Sequence, residues 1–124
     1  MSATSAQPTI LLIEDDFDIL DAVSDALAEE GYRVRTAVNG REALALLPAL
    51  ARPYVVLLDL TMPVMNGEEF LRAARQAGLL QGIPVLVITA SLVSELPAGA
   101  SGLLKKPFRR KDLFAALLHV CRAE

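Results

Sequence analysis

A doubly wound α/β sandwich, with one five-stranded parallel sheet and helices on both of its faces, is the fold class this sequence predicts. Three observations lead there. Ile10-Leu11-Leu12-Ile13, Tyr54-Val55-Val56-Leu57-Leu58 and Val85-Leu86-Val87-Ile88 are short apolar runs rich in branched residues, and runs without a polar side suit strands covered on both faces. Stretches with apolar residues at helical spacing lie between them. Finally, 124 residues are one domain's worth of chain and leave little room for a second.

Taken in order, the elements are these. After the first apolar run, Ile19, Leu20, Val23, Ala26 and Leu27 recur at helical spacing, with Asp16 or Asp18 as candidate cap and Gly31 as the stop. Tyr32-Arg33-Val34-Arg35-Thr36 alternates and reads as an edge-type second strand. Ala43, Leu44, Leu47 and Leu50 mark a second helix, whose last turn Pro48 should distort. The run 54–58 is the third strand. Asn66-Gly67 introduces a third helix carrying Phe70, Leu71 and Ala74, and the run 85–88 is the fourth strand. Between Ser91 and Ser101 the pattern asks for a further helix, but Pro97 and Gly99 leave room for a turn or two. Gly102-Leu103-Leu104 is assigned as the fifth strand by position, and Leu113, Leu117 and Cys121 mark the last helix. Residues 1–8 read as a flexible tail and 9–124 as the domain.

Composition narrows the function. The chain is 53% apolar with a mean hydropathy of +0.41, enough for a core and unlike a disordered chain. Its net charge of −3 and pI near 5.1 argue against nucleic acid or an anionic membrane as main partner, since both are bound by clustered Lys and Arg. The longest unbroken apolar run, Leu113 to Leu118, is six residues, against roughly twenty for a membrane span. No secretory signal is visible at the start. Cys121, the single cysteine, permits no internal disulfide and no Cys-based zinc site. These features predict a soluble cytoplasmic domain.

In open α/β sheets, ligands bind beyond the carboxyl ends of the strands. The residues found there are Glu14, Asp15 and Asp16 after the first run, Asp59 and Thr61 after the third strand, Thr89 after the fourth, and Lys105 and Lys106 after the fifth. Converging carboxylates repel and raise one another's pKa unless a cation intervenes. Oxygen ligands with no His or Cys nearby point to Mg²⁺. A lysine can bind a phosphoryl oxygen as a point charge, a threonine can donate to another, and an Asp oxygen beside the ion is a plausible nucleophile toward phosphorus. Taken singly, each of these residues is ordinary: an Asp after a strand is usually a turn former, Thr89 a turn residue and Lys106 a solvated charge.

The motifs Ile10-Leu-Leu-Ile-Glu14-Asp15-Asp16, Leu57-Leu58-Asp59-Leu-Thr-Met-Pro63 with Asn66-Gly67, Val87-Ile88-Thr89-Ala90 and Lys106-Pro107-Phe108, in this order, make the chain resemble the receiver domain of two-component response regulators over nearly its whole length. The resemblance implies a flavodoxin-like sheet of strand order 2-1-3-4-5. It implies that Asp59 accepts a phosphoryl group from a histidine kinase or a histidine phosphotransfer protein. Asp15, Asp59 and the backbone carbonyl of Thr61 would ligate Mg²⁺, with Glu14 acting directly or through a water. Lys106 would pair with the phosphoryl group, aimed by a cis Lys106–Pro107 peptide, and Thr89 would bond a phosphoryl oxygen and move inward as part of a switch. Thr61 and Ser91 would flank the site and tune the phosphate's lifetime.

Three departures stand out. Glu14 replaces the commoner Asp. Leu103 stands at the second switch position, where many members carry a Tyr or Phe; a leucine has no comparable swing or hydroxyl. Sixteen residues separate Thr89 from Lys106, fewer than the family usually has, which erodes the helix between the last two strands. His119, the only histidine, should face away from the core, and Cys121 should be a buried small hydrophobe. Arg109, Arg110 and Lys111 should form a solvated surface. The expectation is a stand-alone phosphorylatable switch, not an enzyme on a separate substrate. It would signal through a downstream protein partner, as a monomer or a phosphorylation-dependent dimer. The alternatives are a receiver-like docking scaffold with vestigial phosphorylation, a receiver from a longer chain, and a phosphatase of the haloacid-dehalogenase type. The phosphatase would need a second Asp where Thr61 stands.

Overall fold

The computed structural model describes residues 9–50, 54–90 and 95–122. Its strands are β1 (Thr9–Ile13), β2 (Arg33–Ala37), β3 (Tyr54–Asp59), β4 (Val85–Thr89) and β5 (Gly102–Lys105), and its helices α1 (Phe17–Glu29), α2 (Gly40–Leu46), α3 (Gly67–Gln76) and α4 (Arg110–Arg122). All strand pairs are parallel, and the order is β2-β1-β3-β4-β5, as the resemblance implies. Residues 1–8 of the expected tail lie outside the described residues. No helix among the described residues is long and apolar enough to cross a membrane.

The sheet divides the core in two. On one face Leu11, Ile13, Val56, Leu58, Val85 and Val87 pack against α2 and α3; on the other Ile10, Leu12, Val55, Leu57, Leu86 and Ile88 meet α1 and α4. Every residue of β4 is buried, which explains why its sequence shows no alternation. The edge strand β2 is mostly exposed and begins at Arg33, one residue later than the alternation suggests.

Local signals set the helix ends. Asp16 caps α1, its side chain accepting from the Asp18 and Ile19 amides. Past Glu30, Gly31 takes φ +93°, and Tyr32 N–H donates to Leu27 O at 3.1 Å while Gly31 N–H donates to Ala28 O at 3.0 Å, closing a Schellman motif. Asn66 and Glu69 form a reciprocal capping box at the start of α3. Pro48 ends α2 early: the α-helix stops at Leu46 and Leu47–Ala49 is a single 3₁₀ turn.

Between β4 and β5, residues 95–101 contain no helix. Ser91 and the three residues after it lie outside the described residues. Pro97 O accepts from Ala100 N–H at 3.0 Å, a turn that lies against α3, since a methyl on Gly99 would meet Arg75 Cδ at 2.7 Å. Ser101 then ties the chain to β4 twice, N–H to Val85 O at 2.7 Å and Oγ from Val85 N–H at 3.1 Å. On β5, Leu103 is 39% exposed, while Gly102 on the opposite face lets α4 approach so closely that a methyl there would meet Val120 Cγ1 at 2.8 Å.

Phe70 is fully buried between α3 and the sheet. Phe70→Ala should cost about 3–5 kcal/mol, seen in urea as a lower midpoint with an unchanged slope.

Candidate functional site

Each inner strand stops where its sequence turns polar, and because the strands are parallel these stops fall along one edge. Beyond β1 come Glu14 and Asp15, β3 ends on Asp59 and β4 on Thr89. Glu14 N–H is held by Ala37 O at the end of β2, 3.0 Å away. Asp59 stands opposite Ile88 and Thr89 opposite Lys105. Lys106 N–H donates to Thr89 O at 2.9 Å, which extends the β4–β5 pairing by one residue and turns the lysine side chain back over the edge. The Lys106–Pro107 peptide is cis.

The result is a small charged pocket. Glu14 and Thr89 are fully buried and Asp59 is 4% exposed. Lys106 Nζ lies 2.8 Å from Glu14 Oε1 and 3.3 Å from Asp59 Oδ2. The other Asp59 oxygen, Oδ1, accepts from Thr61 N–H at 3.2 Å, and Glu14 Oε2 accepts from Asp16 N–H at 3.1 Å. Lys106 approaches Glu14 Oε1 off the line of a hydrogen bond, so this buried oxygen is paired by charge yet has no aligned donor.

Burial pushes the Glu14 carboxyl up to about 7. Lys106 and the Asp16 amide oppose the rise, and the neighbouring Asp59 adds to it. For Lys106, burial works against the ammonium, but Glu14 and Asp59 outweigh it and hold its pKa above the usual lysine value. Glu14, Asp15 and Asp59 each offer an oxygen within 4.8 Å of the others. An all-oxygen donor set with one buried oxygen lacking an aligned donor fits a hard divalent cation such as Mg²⁺.

Glu14, Asp15, Asp59 and Lys106 therefore come together as the sequence suggests, with Thr89 at the adjoining strand end. Thr61 is exposed and reaches the pocket through its backbone. Leu103 does not join it: it lies on β5 opposite Val87, partly in solvent. His119 is exposed. Cys121 is only half-buried beside the α1 side of the core, where a buried residue was expected. The basic segment is exposed, with Arg110 paired to Glu29 at 2.7 Å. Beside Lys106 an apolar cleft of about 330 Å³ opens between α1 and Pro107-Phe108, lined also by Ile19, Ala22 and Val23.

Sequence reasoning missed how Gly67 supports the site. A methyl on Gly67 would lie 2.6 Å from Asp59 O and 2.8 Å from Leu60 Cα, backbone atoms that cannot step aside. The only trace in the sequence is the Asn66-Gly67 pair, legible as a helix start but not as a contact with β3.

Two outcomes follow from this geometry. Gly67→Ala should destabilise the fold by about 1–3 kcal/mol, measured by urea denaturation. In metal-free protein, the raised Glu14 pKa means that between pH 4.5 and about 7 the folded chain keeps a proton the unfolded chain has lost. Stability should therefore fall as pH rises through that window and level off above it. Relative to Glu14→Gln, the loss should be on the order of 3 kcal/mol; parallel pH profiles for the two proteins would contradict it.

Comparison with known proteins agrees with this geometry. The family model for the response regulator receiver domain matches residues 10–118. The response regulator MprA of Mycolicibacterium vanbaalenii is 38% identical over 91% of this chain and 50% of its own length. The transcriptional regulatory protein CpxR homolog of Haemophilus influenzae is 36% identical over the same shares. The chain thus spans about half the length of the curated relatives it matches. Among solved structures, the chemotaxis protein CheY4 of Vibrio cholerae superposes with a TM-score of 0.84 at 37% identity, covering 93% of this chain and 99% of that one. The receiver domain of sensor histidine kinase PA1611 from Pseudomonas aeruginosa, with magnesium coordinated in its active site cleft, gives 0.82 at 28% identity, covering 93% and 98%. With the sheet order, the pocket and these likenesses together, the chain belongs to the response regulator receiver domain family.

Proposed function

We propose that this chain is a cytoplasmic phosphorylatable switch of a two-component phosphorelay. It takes a phosphoryl group on Asp59 from a histidine kinase or histidine phosphotransfer protein and signals to a downstream protein partner. The observation that carries the reading is the arrangement around Asp59: a nearly buried carboxylate with Thr61 N–H on one oxygen, Lys106 Nζ on the other, and two further carboxylates alongside.

In the transfer, an Asp59 oxygen forms a bond to phosphorus as the P–N bond of a phosphohistidine breaks, and the electron pair leaves on the imidazole nitrogen. Lys106 is close enough to follow the negative charge from Asp59 onto the phosphoryl oxygens, and the Thr61 amide and Thr89 hydroxyl are further donors at the same edge. Glu14, Asp15, Asp59 and the Thr61 carbonyl would hold Mg²⁺. Bound there, the ion supplies positive charge to the phosphoryl oxygens and relieves the repulsion among the carboxylates. The chain in this reading assists its own phosphorylation and dephosphorylation and is no enzyme toward a separate substrate.

The apolar cleft beside Lys106, with Phe17 66% exposed at the start of α1, gives a phosphodonor protein something to grip near Asp59. One relative is named as a transcriptional regulator, but this chain matches half of it and carries a net charge of −3, so nucleic acid is not proposed as a partner of this half. The working state is a monomer or a phosphorylation-dependent dimer. The exposed Leu103 favours one other reading, a docking scaffold in which phosphorylation is vestigial.

Intact mass after incubation with acetyl phosphate separates the two. The switch should gain one phosphoryl group, only with Mg²⁺ present and not in Asp59→Asn. No adduct, joined to no spectral response to beryllofluoride, would leave the scaffold.

A further inference from the structure

Val64 combines two unfavourable features with no compensation inside the fold. It is a β-branched residue at φ +66°, a conformation L side chains avoid, and at 69% exposed it has little packing to hold it there. Met65 N–H donates to Pro63 O at 2.7 Å, closing a three-residue γ-turn about Val64, and the positive-φ form of this turn is the strained one. Such strain persists only where the surroundings impose it.

The surroundings form a closed ring. Gly67 N–H donates to Leu60 O at 3.0 Å, so residues 60–67 are shut into a loop that starts beside Asp59. Thr61 N–H, inside the loop, holds Asp59 Oδ1. One end of the ring is Gly67, pressed against the backbone of Asp59 and Leu60. The other outlet is Met65, whose carbonyl accepts from the N–H of Gly40, the first residue of α2, at 3.0 Å. A methyl on Gly40 would lie 2.8 Å from Met65 Cγ and 2.9 Å from Met65 O. The beginning of α2 therefore hangs on the loop that grips Asp59. On the β5 side the pocket is tied through Lys106, whose Nζ lies 3.3 Å from Asp59 Oδ2 and whose N–H donates to Thr89 O at 2.9 Å; the ring 60–67 is a separate tie, leading to α2.

We propose that loop 60–66, with its strained turn at Val64, is the element that carries the state of the Asp59 pocket to the start of α2. This rests on the phosphoacceptor reading above. A phosphoryl group adds about −1.5 to −2 charge beside the Thr61 amide. The closed ring and the two glycine contacts leave no slack to absorb a rotation at Thr61, so it passes on to Val64. The loop has two arrangements: a strained turn with the Met65–Gly40 bond made, and a relaxed Val64 with that bond broken. Occupancy of the pocket shifts the balance toward the second.

Amide spectra of the ¹⁵N-labelled chain, titrated with beryllofluoride in the presence of MgCl₂, test this. The Thr61 amide reports the pocket, and Gly40 and Met65 report the link. Gly40 and Met65 should shift with the same midpoint as Thr61, and the Gly40 amide should exchange faster with solvent. A Thr61 shift with Gly40 and Met65 unmoved overturns the link while leaving the phosphoacceptor reading intact, whereas a silent Thr61 overturns both. Val64→Gly gives a second arm, because glycine takes this φ without strain and the variant should fold. Its pocket should respond as before while the Gly40 response is lost or much reduced. An undiminished Gly40 response in Val64→Gly would remove the strained turn from the mechanism.

Discussion

Two buried carboxylates share one ammonium at the edge of the sheet, and the rest of the structure is arranged around that imbalance. Glu14 has no exposure and Asp59 almost none, so water does little to screen them from each other. Lys106 reaches both, at 2.8 and 3.3 Å, and Asp15 adds a third carboxylate within reach. The pocket is thus negative even when the lysine is charged, and burial, with a smaller push from Asp59, raises the Glu14 pKa to about 7. A site in this condition has an affinity for a further cation built into its charge count. The sheet order matters because it sets this pairing: β3 lies between β1 and β4, so the Asp59 carboxylate stands next to the β1 carboxylates, and the residue after β5 folds back over them.

Much of this was legible in the sequence, for a physical reason. Strands buried on both faces must be apolar throughout, so β1, β3 and β4 announce themselves, and the first polar residue after each run marks the common edge. The Asp16 cap and the stop at Gly31 are equally local signals. What was not legible depends on contacts between segments distant in sequence. Gly40 and Gly67 matter for the absence of a side chain where another backbone passes, and an absent side chain leaves no periodicity to read. Cys121 shows the limit of periodicity itself: helical spacing gives its angle around α4, not the depth of cover near the helix's end. For the segment before β5, Pro97 and Gly99 leave room for a turn or two of helix between Ser91 and Ser101, and in the described part, 95–101, there is none.

The two edges of the sheet are unequal. β2 carries Arg33, Arg35 and Thr36 to solvent, the ordinary charged edge that discourages strand addition. β5 instead exposes Leu103 beside Lys105, because the connection preceding it turns against Arg75 on α3. Among the described residues of that connection, 95–101, there is no helix beside Thr89. Besides Lys106 at the end of β5, the pocket has a second tie in the ring 60–67, which leads from Asp59 to the start of α2.

Across most of the molecule, local preference and tertiary structure agree. The N-cap of α1, the capping box of α3 and the Schellman end at Gly31 each place a residue where its own chemistry favours it. Two positions break that agreement: Glu14, a carboxylate buried against its preference for water, and Val64, a branched residue held at positive φ. One lies in the Asp59 pocket and the other in the ring that begins beside it. A fold can hold such costs only if the well-satisfied remainder outweighs them. A chain under no functional demand could shed both with single substitutions, a leucine for Glu14 and a glycine for Val64. Glu14 touches the lysine that Asp59 shares, and Val64 sits in the loop whose Thr61 amide holds Asp59, so the charge imbalance and the strained turn meet at one aspartate.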